Sequence, residues 1–326
     1  MKALVYQGVE TLGFTDVPDA VPQKGEHLIK VEAVGICGSD MHAYLGHDAR
    51  RPAPLILGHE AAGTIVGGTH DGMRVTVNPL VTCKTCPACM AGRENLCPER
   101  QIISMAPREG AFAQYVAMPM SNLVEVPADV PLAKAALAEP LAVSWHAARL
   151  ALVALHPAME RRALVIGGGA IGLAAALALK AMGLRDVTIV EPDAARCAFL
   201  CDQAGQNAVA ATDETFPFVI DAVGFGVTRA SASALVQPGG VIAHVGLGDD
   251  AAGFDVRRAT LQEITFIGTY TYTAADFRNT AAALFDGRLG PLDWTQTRPL
   301  ADGAAAFAEL RAGQVATPKI ILAPWS

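Results

Sequence analysis

Short apolar runs separated by turn-forming residues dominate the first third of the chain. They fall at 3–6, 27–31, 63–66, 74–77 and 112–116, bounded by Gly, Pro, Asp and Asn. This spacing predicts the strands of a partly closed antiparallel barrel. No long helical period interrupts it. From Pro131 the period changes. Residues 132–137 and 141–155 are rich in Ala and Leu at helical spacing. Pro131 suits a first helical position, and Glu139-Pro140 falls between the two helical pieces. From 163 onward strands and helices alternate. Strands are expected at 163–166, 187–190, 208–211, 218–222, 241–245 and 264–268, and helices at 170–182, 194–204 and 227–236. Gly183 and Gly205 stand where helix C-caps belong. Strands joined by helical crossovers predict a doubly wound parallel sheet. After 269 come helices near 274–285 and 304–310, then a short strand at 319–322. That tail is too short for a domain of its own. It is expected to return to the first domain, which makes 142–268 an α/β insertion between 1–141 and 269–326.

The uncharged run 163–179 could pass for a membrane span, but it contains four glycines. They belong to Gly167-Gly168-Gly169-Ala170-Ile171-Gly172, a G-x-G-x-x-G that follows an apolar strand and opens a helix. In that context Gly167 makes the tight turn, Gly169 lets the backbone approach a pyrophosphate, and Gly172 packs helix on strand. Glu191 stands nineteen residues after Gly172, at the end of the next strand. A carboxylate there accepts hydrogen bonds from an adenosine ribose and repels a 2′-phosphate, so NAD is expected over NADP. Arg196 is a counter-indication, because a nearby Arg can accommodate that phosphate.

Composition narrows the function classes. The 326 residues are 52% hydrophobic and 17% charged, with a net charge of -7 and no basic cluster longer than a pair. Two domains with ample core are expected, and neither nucleic acid nor an anionic membrane as main partner. The chain opens directly on an apolar strand, with no signal-peptide pattern. Four of the seven cysteines form Cys83-x-x-Cys86-x-x-Cys89-x7-Cys97. Four thiolates at these spacings can close a tetrahedral structural zinc site with no open position. That reading favours a reducing, cytoplasmic setting over a disulfide framework.

A second metal-ligand set lies between Gly35 and Glu60. Cys37 and His59 offer a thiolate and an imidazole, and a catalytic zinc needs about three protein ligands and an open position. Glu60 can be a ligand or a second carboxylate behind one. Ser39 is placed to take a substrate proton, with His42 and Asp40 continuing toward water. Glu139 in its apolar segment is costly to bury alone. A metal, hydrogen-bond donors or surface exposure would each relieve that cost.

With these motifs the chain resembles the zinc-containing medium-chain dehydrogenases over nearly its whole length. The resemblance rests on Gly58-His59-Glu60, Cys37-Gly38-Ser39-Asp40, the four-cysteine lobe and the glycine fingerprint. It implies a GroES-like catalytic domain holding an inserted Rossmann domain, two zincs and NAD per chain, and a homo-oligomer. Glu139-Pro140-Leu141-Ala142 resembles the polyol branch (sorbitol, xylitol, butanediol, idonate and galactitol dehydrogenases). By that resemblance Cys37, His59, Glu60 and Glu139 surround the catalytic zinc. Ser39 and His42 form a proton relay. Val223, Val245, Leu247, Thr269 and Thr271 lie near the cofactor. Two positions depart from the sorbitol pattern: Ala43-Tyr44 follows His42, and Thr271-Tyr272 stands where that branch has Arg-Tyr. The resemblance implies zinc-dependent oxidation of a secondary alcohol, a polyol or sugar-derived compound, to a ketone with NAD⁺; these departures leave sorbitol itself unassigned. The alternatives are a dehydrogenase of an acidic or phosphorylated sugar, with Arg50, Arg51 and Arg108 meeting the anion, and a non-catalytic NAD-binding protein.

Overall fold

A computed structural model describes residues 1–326. The chain forms two compact units. The first comprises Met1–Glu139, Thr273–Asp286 and Thr295–Ser326; the second comprises Pro140–Tyr272 and Gly287–Trp294. The return to the first unit therefore starts at Thr273 rather than 269, and 287–294 group with the second.

The first unit is built on strand Glu26–Gly35, which alternates buried and less buried residues before running fully into the core. It pairs antiparallel with Glu60–Val66, Tyr115–Pro119 and the C-terminal strand Lys319–Ala323. Its sheet continues through Arg74–Val77 to Leu123–Glu125 on one side and through Lys319–Ala323 to Thr295–Pro299 on the other. A smaller sheet holds Lys2–Gly8 between Thr11–Asp16 and Leu55–Ile56. Leu4, Ile29, Leu57, Ile65, Phe112 and Phe307 are fully buried in one cluster. Each such side chain contributes about 1.5–3 kcal/mol by leaving water.

Two local features differ from the expected pattern. A helix, Gly38–Tyr44, interrupts the strands. It is too short to show a hydrophobic period, and a local hydrogen bond starts it instead: Asp40 accepts from the N–H of Cys37. Glu139 and Pro140 do not mark a break. They occupy the first turn of a continuous helix, Ala138–Ala154. Proline is tolerated there because the first-turn N–H groups have no intrahelical partner to lose.

The second unit contains a parallel sheet ordered Asn207–Val209, Asp186–Val190, Arg162–Ile166, Phe216–Asp221, Val236–His244, Thr265–Gly268. The strand order reverses beside Arg162–Ile166, the switch point of a doubly wound sheet. Helices Ala170–Ala181, Ala194–Asp202 and Gly226–Leu235 lie where the periodicity predicts them. A further helix, Val256–Leu261, precedes the last strand. It is short and owes its start to Asp255, which accepts from the N–H of Arg258. Gly183 and Gly205 have φ of 90° and 61°, the left-handed conformation of a helix C-cap. No helix is long and apolar enough to cross a membrane.

Candidate active site

Cys37 is the N-cap of helix Gly38–Tyr44, and Asp40 sits one turn in. The Oδ2 of Asp40 accepts from the N–H of Cys37 at 3.0 Å. Its Oδ1 accepts from the N–H of Gly58 at 3.2 Å and lies 3.4 Å from Nδ1 of His59. One fully buried carboxylate thus ties together the two segments that carry the thiol and the imidazole. This use of Asp40 replaces the expected one, because a group sealed in the core cannot pass a proton to water. The donor atoms of Cys37, His59 and Glu60 lie within 4.8 Å of one another. Nδ1 of His59 faces Asp40 and, at 3.4 Å, the hydroxyl of Ser104. That leaves Nε2 to take a metal, in the carboxylate–histidine arrangement that orients zinc ligands. Burial works against a charge on His59, but Asp40 and then Cys37 outweigh it and hold its pKa well above the ordinary value.

Glu60 opens strand Glu60–Val66 opposite Gly35. A Cβ at Gly35 would collide with the Glu60 carboxylate, so the missing side chain makes room for it. Both oxygens of Glu60 accept from Nζ of Lys319, at 2.6 and 2.8 Å, and Nζ also donates to the carbonyl of Ile36 at 2.9 Å. Glu60 is fully buried and Lys319 is 3% exposed. Burial disfavours the ammonium, but Glu60, Cys37 and Glu139 together raise its pKa. Glu139 is itself buried, at 6% exposure, which removes the surface-exposed alternative for it. Its influence on Lys319 puts it within electrostatic reach of the Lys319–Glu60 pair. It is not one of the three converging donors.

Ser39 and His42 are three residues apart on helix Gly38–Tyr44, hence on one face, and both are half-buried. Arg51 underpins this region. Its Nη1 donates to the carbonyl of Ser39 at 2.8 Å, and its Nε donates to that of Ser104 at 3.0 Å. At 3% exposure it is a buried strut. Arg50 pairs with Asp48 and Arg108 with Glu26. Tyr44 is also in the core, its ring 5.3 Å from that of Phe307.

Cys83, Cys86, Cys89 and Cys97 form a second cluster. Sγ of Cys83 lies 3.9 Å from that of Cys89 and 3.5 Å from that of Cys97. Four zinc–sulfur bonds of about 2.3 Å in a tetrahedron set the sulfurs roughly 3.8 Å apart, so the lobe fits the ion. Backbone N–H groups of Thr85 and Cys86 lower the Cys83 thiol to about 6. Partial burial and the neighbouring Cys86 push Cys89 up to about 12.

The glycine fingerprint sits at the switch point of the parallel sheet. Gly167 has φ of 94°, and a Cβ there would strike Val223. A Cβ at Gly172 would strike the carbonyl of Gly167, whereas Gly169, the N-cap of helix Ala170–Ala181, faces open space. Beside that opening, the first-turn amides of Ala170 and Ile171 have no intrahelical partner and suit a pyrophosphate, so the chain fits a dinucleotide. Glu191 is 5% exposed. Its Oε2 accepts from Gly168 N–H and its Oε1 from Asp193 N–H, both at 2.9 Å. A carboxylate offers about four acceptor sites, so capacity remains for a ribose. Arg196 Nη1 is 3.5 Å from Glu191 Oε2. Val245 is half-buried and Leu247 is 72% exposed. Thr269 donates to the carbonyl of His244 through both N–H and hydroxyl. Thr271 has φ of 46°, unusual for a β-branched residue, and its buried hydroxyl has no partner.

Sequence reasoning missed Lys319, Ser104 and the strut role of Arg51. Lys319 lies 259 positions from Glu60, and its only signal was a lysine opening an apolar strand.

Known proteins resemble the chain throughout. Residues 23–128 match the alcohol dehydrogenase GroES-like domain, and residues 170–286 match the zinc-binding dehydrogenase family. L-galactonate-5-dehydrogenase of Escherichia coli (strain K12) is 32% identical over 308 residues, covering 89% of this chain and 88% of that protein. Sorbitol dehydrogenase of Arabidopsis thaliana is 32% identical over 295 residues, covering 81% and 79%. The structure of L-idonate 5-dehydrogenase from Escherichia coli superimposes with a TM-score of 0.87 at 25% identity, over 99% of this chain and 97% of that one. The chain belongs to the zinc-containing medium-chain alcohol dehydrogenase family. It is an enzyme, an oxidoreductase that works with zinc and a nicotinamide dinucleotide.

Proposed function

We propose that this enzyme oxidises a secondary hydroxyl of a polyol or sugar-derived compound to a ketone, with NAD⁺ as hydride acceptor. The observation that carries the reading is the convergence of Cys37, His59 and Glu60 beside the helix that bears Ser39 and His42. Cys37 and His59 would hold the catalytic zinc, with Glu60 and Glu139 supplying nearby negative charge. Bound there, zinc supplies the Lewis acidity that makes a hydroxyl easier to ionise. Asp40 orients His59, Ser39 takes the substrate proton, and His42 passes it on. Lys319 neutralises Glu60 and favours its role behind the ligands. Cys83, Cys86, Cys89 and Cys97 would hold a structural zinc.

In the second unit, Gly167, Gly169, Ala170, Ile171 and Gly172 would cradle the pyrophosphate, with Glu191 on the ribose. Val223, Val245, Leu247, Thr269 and Thr271 lie on the loops assigned to the rest of the cofactor. The charge of Glu191 favours NAD⁺ over NADP⁺.

The relatives named above are called after L-galactonate, sorbitol and L-idonate, which supports a polyhydroxylated substrate. Arg50, Arg51 and Arg108 are engaged with protein groups, which argues against their meeting a substrate phosphate. A homo-oligomer is supported by the edge strand Thr265–Gly268, beside which Phe266, Leu261 and Val256 are exposed. Seven free cysteines suit a reducing compartment such as the cytoplasm.

A screen of polyols, sugar acids and sugar phosphates, read by NADH absorbance, tests the substrate class. Turnover confined to simple monohydric alcohols would overturn it.

A further inference from the structure

The proton path of the proposed relay needs an exit. Asp40 cannot provide it, being fully buried and committed to Cys37, Gly58 and His59. Asp48 cannot either. Its carboxylate is held by Arg50 at 2.8 Å and Arg51 at 3.2 Å, and it is largely buried. The arginines lower its pKa against the opposing effect of burial, which leaves it a poor proton acceptor near neutral pH.

The remaining group is His47. After helix Gly38–Tyr44 ends, Gly46 takes φ of 76° and reverses the chain, so that the N–H of His47 donates to the carbonyl of His42 at 2.9 Å. The reversal sets the His47 ring edge-on to the His42 ring, with centroids 6.5 Å apart and planes at 79°. His42 is half-buried and His47 is exposed. One or two waters span such a gap, since each hydrogen bond covers roughly 2.8 Å. Imidazole is the side chain whose ordinary pKa lets it both take and release a proton near neutral pH.

Resting on the relay reading above, we infer that His47 is the outlet of that relay: it receives the proton from His42 and delivers it to solvent. One proton leaves the substrate hydroxyl, moves through Ser39 and His42 to His47, and enters water. No further oxidant or reductant is involved, because the hydride goes separately to NAD⁺. His47 acts through His42 and does not itself touch substrate.

The test is a single-turnover stopped-flow experiment on the zinc-loaded enzyme in weak buffer. Proton release is followed with a pH indicator and hydride transfer by NADH absorbance. His47→Gln is expected to slow proton release by about tenfold, less than the roughly 100-fold or more of a group that meets the reacting atoms, because His47 acts through His42. Added imidazole should restore the rate, while zinc content and NAD⁺ affinity stay unchanged. Histidine NMR spectra of the metal-free variant should show the His42 ring signals displaced, since the ring that stands edge-on to it is gone. Slow release that imidazole does not restore would overturn the inference, as it would make His47 merely structural. His42→Gln separates the two levels. If it slows release and His47→Gln does not, the outlet is wrong and the relay stands. If neither variant slows release, the relay itself is wrong.

Discussion

Glu60 is a fully buried carboxylate whose two oxygens meet one ammonium, that of Lys319. Removing one member of such a pair leaves an uncompensated buried charge and costs about 3–5 kcal/mol. Lys319→Met is therefore expected to lower stability by roughly that amount in chemical denaturation. Lys319→Met with Glu60→Gln should recover much of the loss, because no charge is then stranded. Equal losses in the single and double variants would show that the pair's electrostatics are not the cause. Glu139 is a second buried acid near the same pair. Glu139→Gln keeps its shape and removes its charge. A drop of about 10–100-fold in kcat or zinc affinity is expected, as for groups that support metal ligands, with NAD⁺ affinity unaffected. Unchanged kcat with full zinc would exclude Glu139 from the site.

Among the elements, the four-cysteine lobe has few contacts of its own to replace a metal: two very short helices, Pro87–Met90 and Glu94–Leu96, and a two-residue strand, Leu80–Val81. Cys89→Ser is expected to reduce zinc from two to one per chain by elemental analysis and to lower the melting temperature. NAD⁺ titration should be unaffected, since the fingerprint belongs to the other unit. Two zincs retained in the variant would contradict this. The loop after strand Phe216–Asp221 depends on a different kind of clamp. Asp221 is fully buried; its Oδ1 accepts from the N–H groups of Val223 and Gly224, and its Oδ2 accepts from the hydroxyl of Thr228. Burial opposes its charge, but His244 and those N–H groups lower its pKa overall. A folded-state pKa below the unfolded value of about 3.9 stabilises the protein above that value, and the benefit is lost as pH falls toward the folded pKa. Asp221→Asn should therefore be less stable at neutral pH and show a shallower loss of stability below about pH 4. An acid-unfolding profile parallel to the wild type would refute the assignment.

At the scale of the whole molecule, the six-stranded sheet ends in an open edge at Thr265–Gly268. Unpaired edges with apolar side chains are usually covered. Phe266 is 38% exposed on that strand, and Leu261 is 70% exposed just before it. If a second copy covers this edge, light scattering should give a multiple of the chain mass, and Phe266→Glu should reduce it. A monomeric wild-type protein would remove the proposed oligomer. The closing strand Lys319–Ala323 also acts at this scale. It pairs with Glu26–Gly35 and so delivers Lys319 from the far end of the chain to Glu60.

The sequence by itself determined the class of each unit, the dinucleotide fingerprint and both sets of zinc-ligand candidates. These signals are short-range: a hydrophobic period, a glycine spacing, four cysteines within one loop, and Cys37 and His59 within one short stretch of the first domain. The strand order, the partner of Glu60 and the burial of Asp40, Arg51 and Glu139 were decided only by the tertiary structure. A lysine 259 positions away carries no local mark of its partner, and a charged residue looks the same in sequence whether it ends in solvent or in the core. Asp40 shows the reason most directly. Its place three residues from Cys37 is readable, but its hold on His59 exists only once Gly58 has turned the second segment toward it.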